Sequence, residues 1–134
     1  FRLSQSDSTH FFMRALIVDD SRTMRIIISK IVREIGFETG EAGHGQEALD
    51  WIAANGFPEL VCCDWNMPEM NGLEFVQHAR ALQGNEVMQI MMITTESESD
   101  NVMAALEAGA NEYLMKPFTK ESVQDKLSIL GLAS

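Results

Sequence analysis

Polar residues whose side chains can take part in metal binding or phosphoryl transfer follow four short apolar segments of this sequence. They are Asp19 and Asp20, Asp64, Thr94, and Lys116. Carboxylates held close together repel one another unless a cation joins them, and Mg²⁺ prefers oxygen ligands. A carboxylate can attack phosphorus, while a lysine ammonium and a threonine hydroxyl offset charge on the phosphoryl oxygens. If these residues meet, they indicate phosphoryl transfer to an aspartate.

The segments that carry these residues are predicted to be strands that alternate with helices. Four buried strands are predicted over 15–18, 60–63, 90–93 and 113–115, and a more polar edge strand over 37–42. Helical spacing of apolar residues predicts helices over 24–35, 46–55, 73–82, 101–108 and 121–130. This alternation predicts an α/β domain whose parallel sheet has helices on both faces.

The position of the polar residues matters because parallel sheets bind ligands outside the carboxyl ends of their strands. A single aspartate after a strand is more often the cap of the next helix. Four strand ends that each deliver a suitable side chain to the same edge are a much stronger indication. We therefore expect one site that combines the three carboxylates, the threonine and the lysine.

Composition narrows the classes of protein that fit. The 134 residues suit one domain, and the net charge of -10 argues against nucleic-acid or anionic-membrane partners. No signal peptide or 18-residue apolar run is present, so we expect a cytoplasmic protein. The adjacent Cys62 and Cys63 are interpreted as small buried residues, and the acidic run 96–100 as a solvated loop.

Domain boundaries are predicted from the loss of periodicity near the start. Residues 1–12 show no clear pattern and are expected to be a largely disordered leader, alternative start or added sequence. Residues 13–134 are expected to form the folded domain.

Several short motifs together resemble those of bacterial response-regulator receiver domains. They are Val18-Asp19-Asp20-Ser21, Asp64-Trp65-Asn66-Met67-Pro68, Asn71-Gly72, Thr94, Ala108-Gly109-Ala110 and Lys116-Pro117-Phe118. The resemblance extends from about Met13 to Leu132 and is strongest to the stand-alone chemotaxis regulators of the family. It implies a flavodoxin-like (βα)5 fold with a doubly wound parallel sheet of strand order 2-1-3-4-5.

The resemblance also implies the roles of the acidic residues and the lysine. Asp64 is the implied phosphoacceptor. Mg²⁺ is held by Asp19, Asp20, Asp64 and the backbone carbonyl of Asn66. Lys116 contacts the phosphoryl group.

Switching and signal lifetime are assigned to further positions by the same resemblance. Thr94 hydrogen-bonds the phosphoryl group, and Tyr113 follows it inward, which changes the face formed by helix 4, strand 5 and helix 5. Asn66 and Glu96 tune self-dephosphorylation. The expected partners are a histidine kinase, a downstream protein that docks on this face (the flagellar switch is one candidate) and a phosphatase, with a monomer as the default state.

Three other functions are compatible with parts of this sequence, and particular residues argue against each of them. A Mg²⁺ hydrolase of the haloacid-dehalogenase type needs a second aspartate where Asn66 stands. Dinucleotide binding would use Gly43, Gly45 and Ala48. These residues follow an edge strand, whereas the dinucleotide-binding motif follows the first strand of a βαβ unit. A receiver fold without phosphorylation disagrees with the intact acidic pair. The closest alternative is a single-domain receiver in a phosphorelay or other non-chemotaxis pathway; in either pathway the protein is a signalling protein and not an enzyme.

Overall fold

The computed structural model describes residues 12–133, except for the side chains of Glu96 and Ser99. The predicted disorder of residues 1–11 therefore lies outside the described residues. Five parallel strands form one sheet in the order β2-β1-β3-β4-β5, as the resemblance implied. The strands are β1 (Arg14–Val18), β2 (Glu38–Ala42), β3 (Leu60–Asp64), β4 (Gln89–Thr94) and β5 (Glu112–Met115).

Five α-helices cover the two faces of this sheet. They are α1 (Arg22–Ile35), α2 (Gly45–Asn55), α3 (Gly72–Arg80), α4 (Val102–Ala108) and α5 (Lys120–Ile129). Helices α1 and α5 share one apolar cluster with the sheet, and α2, α3 and α4 share the other. No helix of the described part is both long and apolar enough to cross a membrane.

Alternating side chains of the inner strands enter opposite clusters. In β1, Leu16 packs towards α2–α4 and Ile17 towards α1 and α5. Cys62 and Cys63 divide in the same way and are buried, which confirms the sequence interpretation. Because both faces are covered, the inner strands are apolar at every position between their first and last residues.

Four of the five strands, β1, β3, β4 and β5, end beside the polar site, and capped helices follow some of them. The Ser21 hydroxyl accepts a hydrogen bond from the Met24 N–H at 3.2 Å and begins α1. Asn71 and Glu74 form a reciprocal capping box at the start of α3. These caps fix the loops that lie beside the strand ends.

The segment before α4 differs from the sequence prediction. Residues 96–101 form a 3₁₀ helix, Glu96–Asn101, that leads directly into α4. The interpretation of 96–100 as a solvated loop is wrong at Glu98, whose side chain is half-buried.

Arg80 connects the far end of α4 to the rest of the domain. Its guanidinium donates hydrogen bonds to the carbonyl of Gly109 at 2.9 Å, the carbonyl of Asn85 at 3.1 Å and the side chain of Asn111 at 2.7 Å. Asn111 in turn accepts a hydrogen bond from the Ile90 N–H at 2.8 Å. The last turn of α4 is thereby joined to α3 and to the start of β4.

We predict that Gly72→Ala destabilises the protein. A Cβ atom at Gly72 would lie 2.9 Å from the Asp64 carbonyl oxygen and 3.0 Å from the Trp65 Cα. Because these are backbone atoms, α3 must move away from the end of β3, and we expect a loss of about 1–3 kcal/mol in unfolding free energy. Urea unfolding of both proteins measures it.

Gly43→Ala is the matched control for this substitution. Its nearest contact would be the flexible Glu47 carboxylate at 3.3 Å, so we expect a change below about 1 kcal/mol. Equal unfolding midpoints for the Gly72 variant and the parent would contradict the close packing of α3 on β3.

Candidate functional site

Four adjacent strands bring the predicted site residues to one edge of the sheet. Asp19 follows β1, Asp64 ends β3, Thr94 ends β4 and Lys116 follows β5. An open pocket of about 370 Å³ lies over these strand ends, and its lining includes Asp19, Asp20, Asp64, Asn66, Glu98 and Lys116. The structure therefore brings the predicted carboxylates and the lysine together; Thr94 lies directly beside the pocket-lining Thr95.

The three aspartates form a compact group of carboxylates. Each offers one oxygen, and these oxygens all lie within 4.8 Å of one another. Asp19 and Asp64 are buried, with 2% and 6% of their surface exposed, whereas Asp20 is exposed. One Asp19 oxygen accepts a hydrogen bond from the Ser21 N–H at 2.8 Å, and the other is buried without a hydrogen-bond partner among the described residues.

Burial and mutual repulsion make these carboxylates reluctant to ionise. Loss of solvation, followed by the neighbouring charge of Asp19, raises the pKa of Asp64 to about 6, although Lys116 opposes this. Burial likewise raises the pKa of Asp19, against the Ser21 hydrogen bond. The positive charge of Lys116 therefore does not fully offset the burial and mutual repulsion of these carboxylates.

Lys116 is the one cation among the described residues that line this pocket. Its ammonium nitrogen lies 3.3 Å from Asp64 Oδ1. The Lys116 N–H donates to the Thr94 carbonyl at 2.7 Å, and the peptide bond to Pro117 is cis. The lysine is thus fixed by backbone contacts between β4 and β5 and directs its charge at Asp64.

The donor set fits a hard divalent cation. Asp19, Asp20 and Asp64 supply only oxygen, the type of ligand that Mg²⁺ prefers. A bound cation would give the unpartnered Asp19 oxygen a binding partner and would lower the raised pKa of Asp64. Asn66 lines the same pocket, and its backbone carbonyl stays a predicted ligand.

Thr94 is the last residue of β4, and Tyr113 lies on the neighbouring strand β5. Thr94 is buried, and its hydroxyl has no hydrogen-bond partner among the described residues. Tyr113 is half-buried, and the Lys126 ammonium lies 4.3 Å from the centre of its ring. Lys126 of α5 also forms a 3.0 Å ion pair with Glu112 of β5. Lys126 therefore joins α5 to β5 beside Tyr113, a contact that the sequence prediction did not include.

Of the two residues predicted to tune dephosphorylation, one is described. Asn66 is exposed and lines the pocket. The Glu96 side chain lies outside the described part of the structure, so its role stays a prediction.

Sequence reasoning missed Glu98 as a site residue. Its carboxylate lines the pocket and accepts a hydrogen bond from the Thr95 N–H at 2.9 Å. The signal was present, because Thr95 and Glu98 have the Ser/Thr-x-x-Glu spacing of a capping box.

Comparison with known proteins gives a consistent family. Residues 15–128 match the family model described as the response regulator receiver domain. A chemotaxis protein CheY homolog of Campylobacter jejuni is 46% identical over 124 residues, which cover 91% of this chain and 95% of that protein. The chemotaxis protein CheY1 of Helicobacter pylori is 44% identical over 119 residues, covering 88% and 96%.

A solved structure shares the fold as well. The chemotaxis protein CheY4 of Vibrio cholerae superimposes with a TM-score of 0.81 at 32% identity, covering 88% of this chain and 98% of that one. The comparison confirms the flavodoxin-like architecture that the resemblance implied.

We predict that Asp64→Asn stabilises the metal-free protein at neutral pH. The folded pKa of about 6 exceeds the usual 3.8, so the folded state binds this proton more tightly than the unfolded state. The parent loses stability as pH rises from about 4 to about 6, and the loss is complete above that range. The variant avoids a penalty of about 1–3 kcal/mol.

Urea unfolding between pH 4 and pH 8 with a metal chelator measures this difference. The gain should shrink towards zero as pH falls to about 4. Asp125→Asn removes an exposed carboxylate on α5 and should show no such profile. A destabilised Asp64→Asn protein at pH 8 would contradict the description of the carboxylate group as repulsive.

Proposed function

Because the chain belongs to the response regulator receiver domain family, we propose that it carries a signal by accepting a phosphoryl group on Asp64. The supporting observation is the placement of the Asp64 carboxylate, 3.3 Å from the Lys116 ammonium and beside the Asp19 and Asp20 carboxylates. No other carboxylate of the described residues combines these neighbours at the end of a central strand. The chemistry is that of a phosphoacceptor and not of an enzyme that turns over a substrate.

In the proposed transfer, an Asp64 oxygen attacks the phosphorus of a phosphohistidine. The new O–P bond replaces the P–N bond, and the released imidazole takes up a proton. Lys116 offsets charge on the phosphoryl oxygens, because its ammonium is already aimed at Asp64. Mg²⁺, held by Asp19, Asp20, Asp64 and the Asn66 carbonyl, would supply the positive charge that these carboxylates need.

Thr94 is the proposed sensor of the phosphoryl group. Its buried hydroxyl has no partner among the described residues, and a buried hydroxyl gains by donating to an anionic oxygen. Movement of Thr94 towards Asp64 would leave space on the β5 side, which Tyr113 would fill. This is a two-state change set by a local charge.

The proposed output face consists of α4, β5 and α5. Each of these elements exposes one large apolar side chain, namely Met103, Met115 and Ile129. A partner that reads the state of Tyr113 could dock there. Since the Campylobacter and Helicobacter relatives are named chemotaxis proteins, we propose chemotaxis signalling, with a histidine kinase as donor and the flagellar switch as a candidate target. The cytoplasmic location and monomeric state stay predictions.

Phosphotransfer is the direct test of this proposal. The parent and the Asp64→Asn variant are incubated with labelled histidine kinases and, separately, with an acyl phosphate. We expect one phosphoryl group on the parent, removable by hydroxylamine, and none on the variant. Equal labelling of both proteins, or of neither by any donor, would contradict the assignment of Asp64.

Signal lifetime is a second readout of the same experiment. With Asn66 at the pocket, we expect the label to be lost quickly once the donor is removed and Mg²⁺ is present. Retention for hours would contradict the proposed tuning of dephosphorylation.

We predict that Mg²⁺ binds through Asp20. Titration should change the emission of Trp65, which adjoins Asp64, and raise the unfolding midpoint. Asp20→Asn should weaken the apparent affinity by about tenfold or more, whereas Asp125→Asn should leave it unchanged. The second tryptophan, Trp51, packs on Gly40 at the β2 edge and contributes a constant background. Identical titrations of parent and Asp20→Asn would exclude the acidic site.

A further inference from the structure

A carboxylate of the chain itself already occupies a hydrogen-bond donor at the pocket. Glu98 lies in the 3₁₀ helix Glu96–Asn101 and is half-buried. Its Oε1 accepts the Thr95 N–H at 2.9 Å, and Thr95 directly follows the end of β4. Locally, this contact closes the first turn of the 3₁₀ helix, together with the bond from the Glu98 N–H to the Thr95 carbonyl at 3.0 Å.

The same contact adds negative charge where the phosphoryl group would stand. Four carboxylates, those of Asp19, Asp20, Asp64 and Glu98, line a pocket that has Lys116 as its cation among the described residues. The charge of Glu98 reaches Asp64, since it contributes to the raised pKa of that carboxyl. A phosphoryl group on Asp64 would bring further anionic oxygens into this space.

A backbone N–H group beside an anion-binding pocket is a potential hydrogen-bond donor to the anion. The Thr95 N–H belongs to the residue after the buried Thr94, so it lies at the same strand end as the Asp64 carboxylate. A phosphoryl oxygen and the Glu98 carboxylate cannot both accept this hydrogen at full strength. Their like charges also disfavour joint occupancy.

We infer that Glu98 acts as an internal competitor of the phosphoryl group: it holds the Thr95 N–H in the unphosphorylated protein and leaves when Asp64 is phosphorylated. The inference rests on the proposed function of Asp64. Glu98 is then a positioning residue that sets how readily the pocket accepts the phosphoryl group. Its departure opens the first turn of the 3₁₀ helix that leads into α4.

Equilibrium binding of a phosphoryl analogue tests this inference without turnover. Beryllium trifluoride with Mg²⁺ is titrated into the parent, Glu98→Gln and Asp100→Asn, following Trp65 fluorescence. Glu98→Gln keeps the size of the side chain and an acceptor for the Thr95 N–H but removes the charge. Asp100→Asn removes one exposed charge from the same 3₁₀ helix.

We expect Glu98→Gln to bind the analogue roughly threefold to tenfold more tightly than the parent and Asp100→Asn to match the parent within about twofold. Affinity of Glu98→Gln equal to or weaker than that of both other proteins would overturn the inference. A crystal structure of the saturated parent gives a second decision. Separation of Glu98 from the Thr95 nitrogen supports the competition, and retention of the 2.9 Å contact overturns it.

The two levels of the proposal fail in different ways. If the parent neither binds beryllium trifluoride nor accepts a phosphoryl group, Asp64 is not a phosphoacceptor, and the role of Glu98 is lost with it. If the parent binds and is labelled while Glu98→Gln behaves like the parent, the function of Asp64 stands and only the role of Glu98 is wrong.

Discussion

Repulsion between carboxylates that cannot move apart is the constraint on which this site depends. Asp19 and Asp64 leave buried strands that are paired directly in the sheet, so hydrogen bonds of the sheet hold their backbones side by side. Two apolar clusters fix the strands from both faces. The fold thus keeps negative charges together at a cost in stability, and the arrangement is useful because a cation and a lysine can reverse that cost. A less rigid sheet would let the aspartates separate, and the demand for positive charge would disappear.

The same repulsion also explains which polar groups surround the aspartates. Lys116 lies beside Asp64, Ser21 donates to one oxygen of Asp19, and all three aspartates line the pocket. The Thr94 hydroxyl is buried close to this charge without a partner among the described residues. Such a group is sensitive to any anion that arrives beside it, because a buried donor gains most from a charged acceptor. The carboxylates at the pocket and the unpartnered Thr94 hydroxyl would therefore both respond when an anion binds at the strand ends.

The sequence predicted much of this because its strongest signals are local. Apolar runs that end abruptly at Asp64 or Lys116 indicate buried strands, and the edge rule for parallel sheets places their ends together. The strand order came from the family resemblance, since periodicity does not say which strands are neighbours. Glu98 was missed because an acidic run without apolar spacing is usually solvated. The contact of Lys126 with Tyr113 was missed for a different reason: it joins residues 13 positions apart in the chain on two elements, and no local pattern encodes it.

Arg80 gives α4 two very unequal ends. Its guanidinium holds the carbonyl of Gly109, just past the last turn, while Asn85 and Asn111 hold the guanidinium. The first turn has no side-chain cap and continues from the 3₁₀ helix instead. Because the helix is held near Gly109, a displacement that starts near Thr95 is largest in the first turn of α4 and smallest at its last turn. The exposed Met103, one residue into the helix, lies at the end that would move most.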